Sequence, residues 1–120
     1  MKSKNDPRHQ KRIKNIQALF AWSLIPASID ESIIEIIPKV PEIDQLISVA
    51  APKWPIDQIN KIELAILRYA VWELQNQSEI PEKVVIDEAI EIAKEYGDTN
   101  SASFINAVLG FILKKQHDQN

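Results

Sequence analysis

Apolar residues return at helical spacing along almost the whole chain, and only two glycines interrupt them. Ile13, Ile16, Phe20 and Leu24 form one such series. Ile59, Ile62, Ile66 and Tyr69 form a second, and Val85, Ala89, Ile92 and Tyr96 a third. Ile105, Val108, Leu109 and Ile112 close the set. Each lays a stripe along one face of a helix with 3.6 residues per turn. A strand-rich fold would need more glycines in its tight turns. Isoleucine favours strands intrinsically, but that preference depends on context and the summed periodicity outweighs it. The pattern predicts an all-α fold, a compact bundle of six to seven helices.

Seven prolines punctuate the pattern. Pro7 can sit in the first turn of an opening helix, and Pro26 ends that helix near Leu24. Ser28-Ile29-Asp30-Glu31 reads as a capping box for a short helix reaching Ile37. Pro38 and Pro41 bracket a break before a helix from Glu42 to Ala50. Pro52 and Pro55 flank Trp54, and Pro55 can start the helix that runs to Gln75. Pro81 opens the next helix, and Gly97 is expected to close it through a left-handed C-cap. Thr99, Asn100 or Ser101 can cap the last helix, expected to end near Lys115 and leave residues 116–120 as a loose tail.

A chain of 120 residues can bury a real core, and no linker or repeat divides it, so residues 1–120 read as one domain. The absence of cysteine excludes a disulfide scaffold and Cys-ligated zinc. With no signal-peptide core at the start and no apolar run of membrane-spanning length, the expected location is the cytoplasm, away from membranes. The net charge of −3 conceals an uneven distribution. Lys2, Lys4, Arg8, Lys11, Arg12 and Lys14 stand against Asp6 alone in the first 14 residues, whereas the remainder carries 8 bases and 16 acids. Residues 1–7 thus begin a basic arm on an acidic body. Such an arm is either a solvated terminus or a contact for nucleic acid or an acidic partner.

Little in the sequence suggests enzymatic chemistry. Gly97 and Gly110 are too few to write a phosphate-cradling or dinucleotide loop. His9 and His117 lie at opposite ends, so neither a metal site nor a His-based triad finds its third partner. No cofactor and no metal are expected. Glu88, Glu91 and Glu95 share a helix face that reads as a solvated stripe. Arg68, set among apolar residues, reads as a buried ion-pair partner for Glu73, Glu88 or another acid. Asn106 reads as a buried amide, with a partner or RNA contact as the alternative. Trp54 and Trp72 are candidates for the core.

Three phrases bear a resemblance to a known family: residues 63–74 (ELAILRYAVWEL), 80–97 (IPEKVVIDEAIEIAKEYG) and 101–109 (SASFINAVL). Together they resemble the C-terminal half of the NusB family of bacterial transcription antitermination factors. Residues 12–22 (RIKNIQALFAW) resemble the opening helix of the same family. There are departures. Residues 25–53 are shorter than is usual, so one helix is expected to be trimmed or lost. Asn15 replaces a small alanine, and Phe20 replaces a tyrosine. Ala107 and Gly110 alter the usual ending of the third phrase.

The resemblance implies two packed helical subdomains and no enzymatic activity. It also implies binding of single-stranded boxA-type RNA together with NusE, a ribosomal protein, in support of RNA polymerase during ribosomal RNA synthesis. Arg8, Lys11 and Arg12 share a face that can track a phosphate backbone, extended by Lys2 and Lys4. Phe104 matches a family position near the RNA, though it equally fits the apolar stripe of its helix. N–H groups around Ser101–Ser103 could receive a phosphate. By the same resemblance Phe20, Trp22 and Glu63 are candidates for the surface that meets NusE; Glu63 is equally an ordinary surface acid. The alternatives are a helical adaptor without RNA binding, or an accessory subunit of an RNA-modifying enzyme.

Overall fold

A computed structural model of the chain describes residues 6–119. Five α-helices carry the fold: α1 (Pro7–Leu24), α2 (Val40–Ala50), α3 (Lys61–Asn76), α4 (Glu82–Tyr96) and α5 (Ser101–Asp118). One-turn 3-10 segments occupy Glu31–Ile33, Ile37–Lys39 and Ile56–Gln58. No strand occurs among the described residues. The all-α expectation holds, while the helix count falls to five.

The difference lies between α1 and α2. The expected helix up to Ile37 is replaced by two 3-10 turns, the first capped by Asp30 through the N–H of Ser32 at 2.8 Å rather than by Ser28. Ile33 and Ile36 are both buried. Residues three apart eclipse in a 3-10 turn, so this geometry buries both without a full helix. Pro38 and Pro41 do not bracket a break: each sits in the first turn of the segment it helps to open, the second 3-10 turn and α2, where a missing N–H costs nothing.

Asp6 caps α1 by accepting the N–H of Arg8 at 2.8 Å, and Pro7 follows it in the first turn. Pro55 does not start α3. It precedes a 3-10 turn, and α3 begins after Asn60, whose side chain accepts the N–H groups of Ile62 and Glu63 at 2.9 and 3.3 Å. An asparagine there satisfies two otherwise orphaned donors. Gly97 ends α4 with φ −94°, not in the left-handed region. Helix α5 continues to Asp118, past the expected end, with His117 Nε2 2.9 Å from Glu82 Oε1.

Helix α3 is the centre of the molecule, with α1, α2, α4 and α5 all packed against it. Every residue from Leu64 to Val71 is buried. The subdomains implied by the resemblance share one core, because a single cluster of buried residues runs through all five helices. Among the described residues, no helix is long and apolar enough to cross a membrane.

Candidate nucleic-acid interface

The first turns of α1 separate their cations by direction. Arg8, Lys11 and Lys14 face solvent, whereas Arg12 is buried. Arg12 Nε donates to both carboxylate oxygens of Glu73, at 3.0 and 3.1 Å, and its Nη1 donates to Glu88 Oε1 at 3.2 Å. His9, also buried, places Nδ1 3.0 Å from the same Glu88 oxygen. Burial works against the Arg12 charge, but the hydrogen bond and charge of Glu73, with Glu88 behind them, outweigh it and hold the guanidinium above its ordinary range.

Arg12 therefore does not join Arg8 and Lys11 on an exposed face. Its charge is committed to fixing α1 against α3 and α4. Glu88 likewise leaves the expected solvated stripe, because two groups on α1 need its carboxylate. Lys2 and Lys4 lie outside the described residues. Arg8 approaches Asp6 at 3.3 Å with its side chain 75% exposed, a surface pair that leaves the guanidinium in water. Beside this row lies a hollow of about 280 Å³ lined by Arg8, Lys11, Arg12, Tyr69, Glu73 and others. Asn15, at the usual alanine position, is buried there and donates to the Tyr69 hydroxyl at 3.4 Å. Burial raises the Tyr69 phenol above its ordinary value; the Asn15 bond opposes this and Glu73 adds to it.

The start of α5 makes a second hollow, of about 290 Å³, where Phe104 meets Trp54, Gln58, Asn60, Glu63, Asp98 and Asn100. Phe104 is half-buried against the core and meets Trp54 edge-on, with centroids 6.4 Å apart and planes at 78°. Trp54 is 53% exposed, so it is not the core residue its type suggested. Ser101, fully buried, donates to Glu63 Oε2 at 2.5 Å and accepts the N–H of Asp98 at 3.0 Å. The N–H of Ser101 is already taken by the Asp98 carbonyl, at 3.2 Å. A phosphate at this helix start would meet Asp98 rather than a free row of donors.

Toward the end of α1, Phe20 and Trp22 are half-buried against the core. The Arg68 guanidinium lies 5.7 Å from the Trp22 ring centroid and makes a two-pronged pair with Asp44 at 2.9 and 2.8 Å. Asp44 is thus the acid that Arg68 requires. Just beyond, Leu24, Ile25, Ile29 and Ile34 are each more than half exposed. Asn106 is exposed, not a buried amide, since the inward face of α5 belongs to Ile105, Val108, Leu109 and Ile112. Adjacent helical residues point about 100° apart, so the neighbour of buried Ile105 turns outward.

The NusB family model matches residues 23–114. The transcription antitermination protein NusB of Listeria innocua is 36% identical over 121 aligned positions, covering 88% of this chain and 94% of the relative. The chain belongs to the NusB family. The NusB of Clostridium botulinum is 55% identical over 73 residues, which is 61% of this chain and 55% of that protein. This chain spans only slightly more than half the length of several NusB relatives, 55 to 57%. The solved structure of T. maritima NusB superposes with a TM-score of 0.79 at 32% identity, covering 95% of this chain and 93% of that one. NusB membership accounts for the order of helices and for the phrases in α1, α3, α4 and α5. Trp54 lacked a chemical motif, though a tryptophan between two prolines signals a ring fixed in a turn.

Proposed function

We propose that this protein is a non-enzymatic antitermination factor that binds single-stranded, boxA-type RNA together with NusE and so supports the RNA polymerase elongation complex in transcribing ribosomal RNA. The observation that carries this reading is NusB-family membership combined with an outward row of Arg8, Lys11 and Lys14 on α1. Such a row follows a phosphate backbone, and Lys2 and Lys4 precede it in sequence. Phe104 supplies an aromatic surface for an unstacked base. Phe20 and Trp22, with the exposed apolar residues from Leu24 to Ile34, form the NusE surface; Glu63 belongs where the RNA and NusE surfaces meet. Arg12 contributes by holding the helix that presents the row.

RNA and NusE, if each stabilises the same arrangement, tighten one another reciprocally. The test is anisotropy of a labelled boxA-like RNA, titrated with and without NusE at several salt concentrations. Binding that NusE tightens and salt weakens is the expected result. Lys11→Ala should lower the slope of log affinity against log salt by about 0.7, the value for one charge on a single strand. Folded protein that binds no RNA in either condition would leave a helical adaptor as the reading.

A further inference from the structure

We propose that the hollow between Trp54 and the start of α5 takes one unpaired nucleobase bearing an exocyclic amine, stacked on Trp54 and hydrogen-bonded through that amine to Glu63. This rests on the reading of the protein as an RNA binder and assigns to one place a choice among bases.

Trp54 is held for such a role. Pro52 and Pro55 restrict the backbone on either side, and its own N–H donates to the Ala51 carbonyl at 3.0 Å. Its ring is braced edge-on by Phe104 and is still 53% exposed. A large aromatic left in water and fixed in orientation offers a stacking surface at small entropic cost.

The charge of the hollow decides what part of an RNA it accepts. Glu63 and Asp98 line it, with the amides of Gln58, Asn60 and Asn100, and no lysine or arginine is among the lining residues. A phosphate would meet two carboxylates and no cation. A base edge meets acceptors. Adenine and cytosine present an amine donor to them, whereas uracil presents a carbonyl oxygen in the same place. Glu63 is also preset. The buried Ser101 hydroxyl fixes its Oε2, and no described residue donates to Oε1. The volume of about 290 Å³ accommodates a single base.

The test compares short oligoadenylate, oligocytidylate and oligouridylate by anisotropy with the full chain, without NusE, so that any effect of Glu63 on a protein partner is absent. The wild type should favour the amine-bearing oligomers over oligouridylate by at least about fivefold, the lower range for one base-edge contact. Glu63→Leu, which keeps much of the bulk and removes both acceptor oxygens, should collapse that preference. Trp54→Leu should weaken all three by roughly fivefold or more with an unaltered salt slope, since stacking carries no charge. Circular dichroism confirms that both variants fold. RNA binding by the wild type with the base preference retained in Glu63→Leu, or with Trp54→Leu indistinguishable, overturns the base pocket and leaves the RNA reading standing. Absence of all RNA binding by the folded wild type overturns both.

Discussion

Arg12 shows how far a single side chain can depart from its sequence appearance. Beside Arg8 and Lys11 it looks like one more solvent cation, and nothing local indicates partners 61 and 76 residues away. Those separations are set by tertiary packing, which helical periodicity does not encode. Arg12→Ala would leave Glu73 and Glu88 buried without their cation, and should cost about 3 kcal/mol in urea denaturation. Wild-type stability in this variant would mean that the carboxylates find other partners. Tyr69 gives a pH-dependent counterpart. Its folded-state value is raised above the ordinary 10.0, chiefly by burial, so its contribution is fully present below pH 10 and is lost as pH climbs through the raised value. Tyr69→Phe should therefore be less stable than wild type at neutral pH, with the gap narrowing above pH 10. Urea midpoints across that range read the difference directly.

At the scale of elements, helix existence was legible and helix ends were less so. The isoleucine stripes located α1, α3, α4 and α5 because each must face the shared core. The short helix expected from the Ser28–Glu31 capping box to Ile37 is instead two 3-10 turns, because buried residues three apart suit either helix type. Gly97 was assigned the right place for the wrong reason. Its φ of −94° is open to any residue, but a Cβ there would lie 2.5 Å from Ser101 Oγ and 2.7 Å from the Ala93 carbonyl oxygen. Gly97 is thus required by the close approach of α4 and α5, and Ser101 in turn holds Glu63. Gly97→Ala should destabilise by about 2 kcal/mol, as overpacking does. Gly110→Ala should have the opposite sign. A Cβ at Gly110 meets nothing within 4 Å, so the substitution should stabilise α5 by about 0.8 kcal/mol through helix propensity. Thermal melts of the two variants, shifted in opposite directions, would check both at once.

For the whole molecule, two glycines and an unbroken helical rhythm were enough to exclude a sheet, and the family phrases were enough to indicate the arrangement. The candidate site was less accessible. Phe104, Lys11 and Arg8 could be named from sequence, and Asp98 and Asn100 are near neighbours of Phe104 at the start of α5, but Trp54 joins Phe104 only because a loop and that helix start are folded onto the same end of α3. The single core also bears on unfolding. Because buried residues of all five helices form one cluster, the chain should melt in one cooperative step. Far-ultraviolet dichroism and tryptophan fluorescence should give coincident transitions. Two separated transitions would show that the two halves are energetically independent.

Helix α3 is also a ruler. Glu63, near its beginning, lines one hollow, and Glu73, near its end, lines the other. At 1.5 Å of rise per residue, the ten steps between them set a spacing of about 15 Å along the axis. That interval is fixed by a hydrogen-bonded rod rather than by connecting loops, so insertions in the loops leave it unchanged. One residue added inside the rod would lengthen the interval by about 1.5 Å and turn one hollow about 100° relative to the other. The two concavities therefore keep a common register that loop variation does not reach.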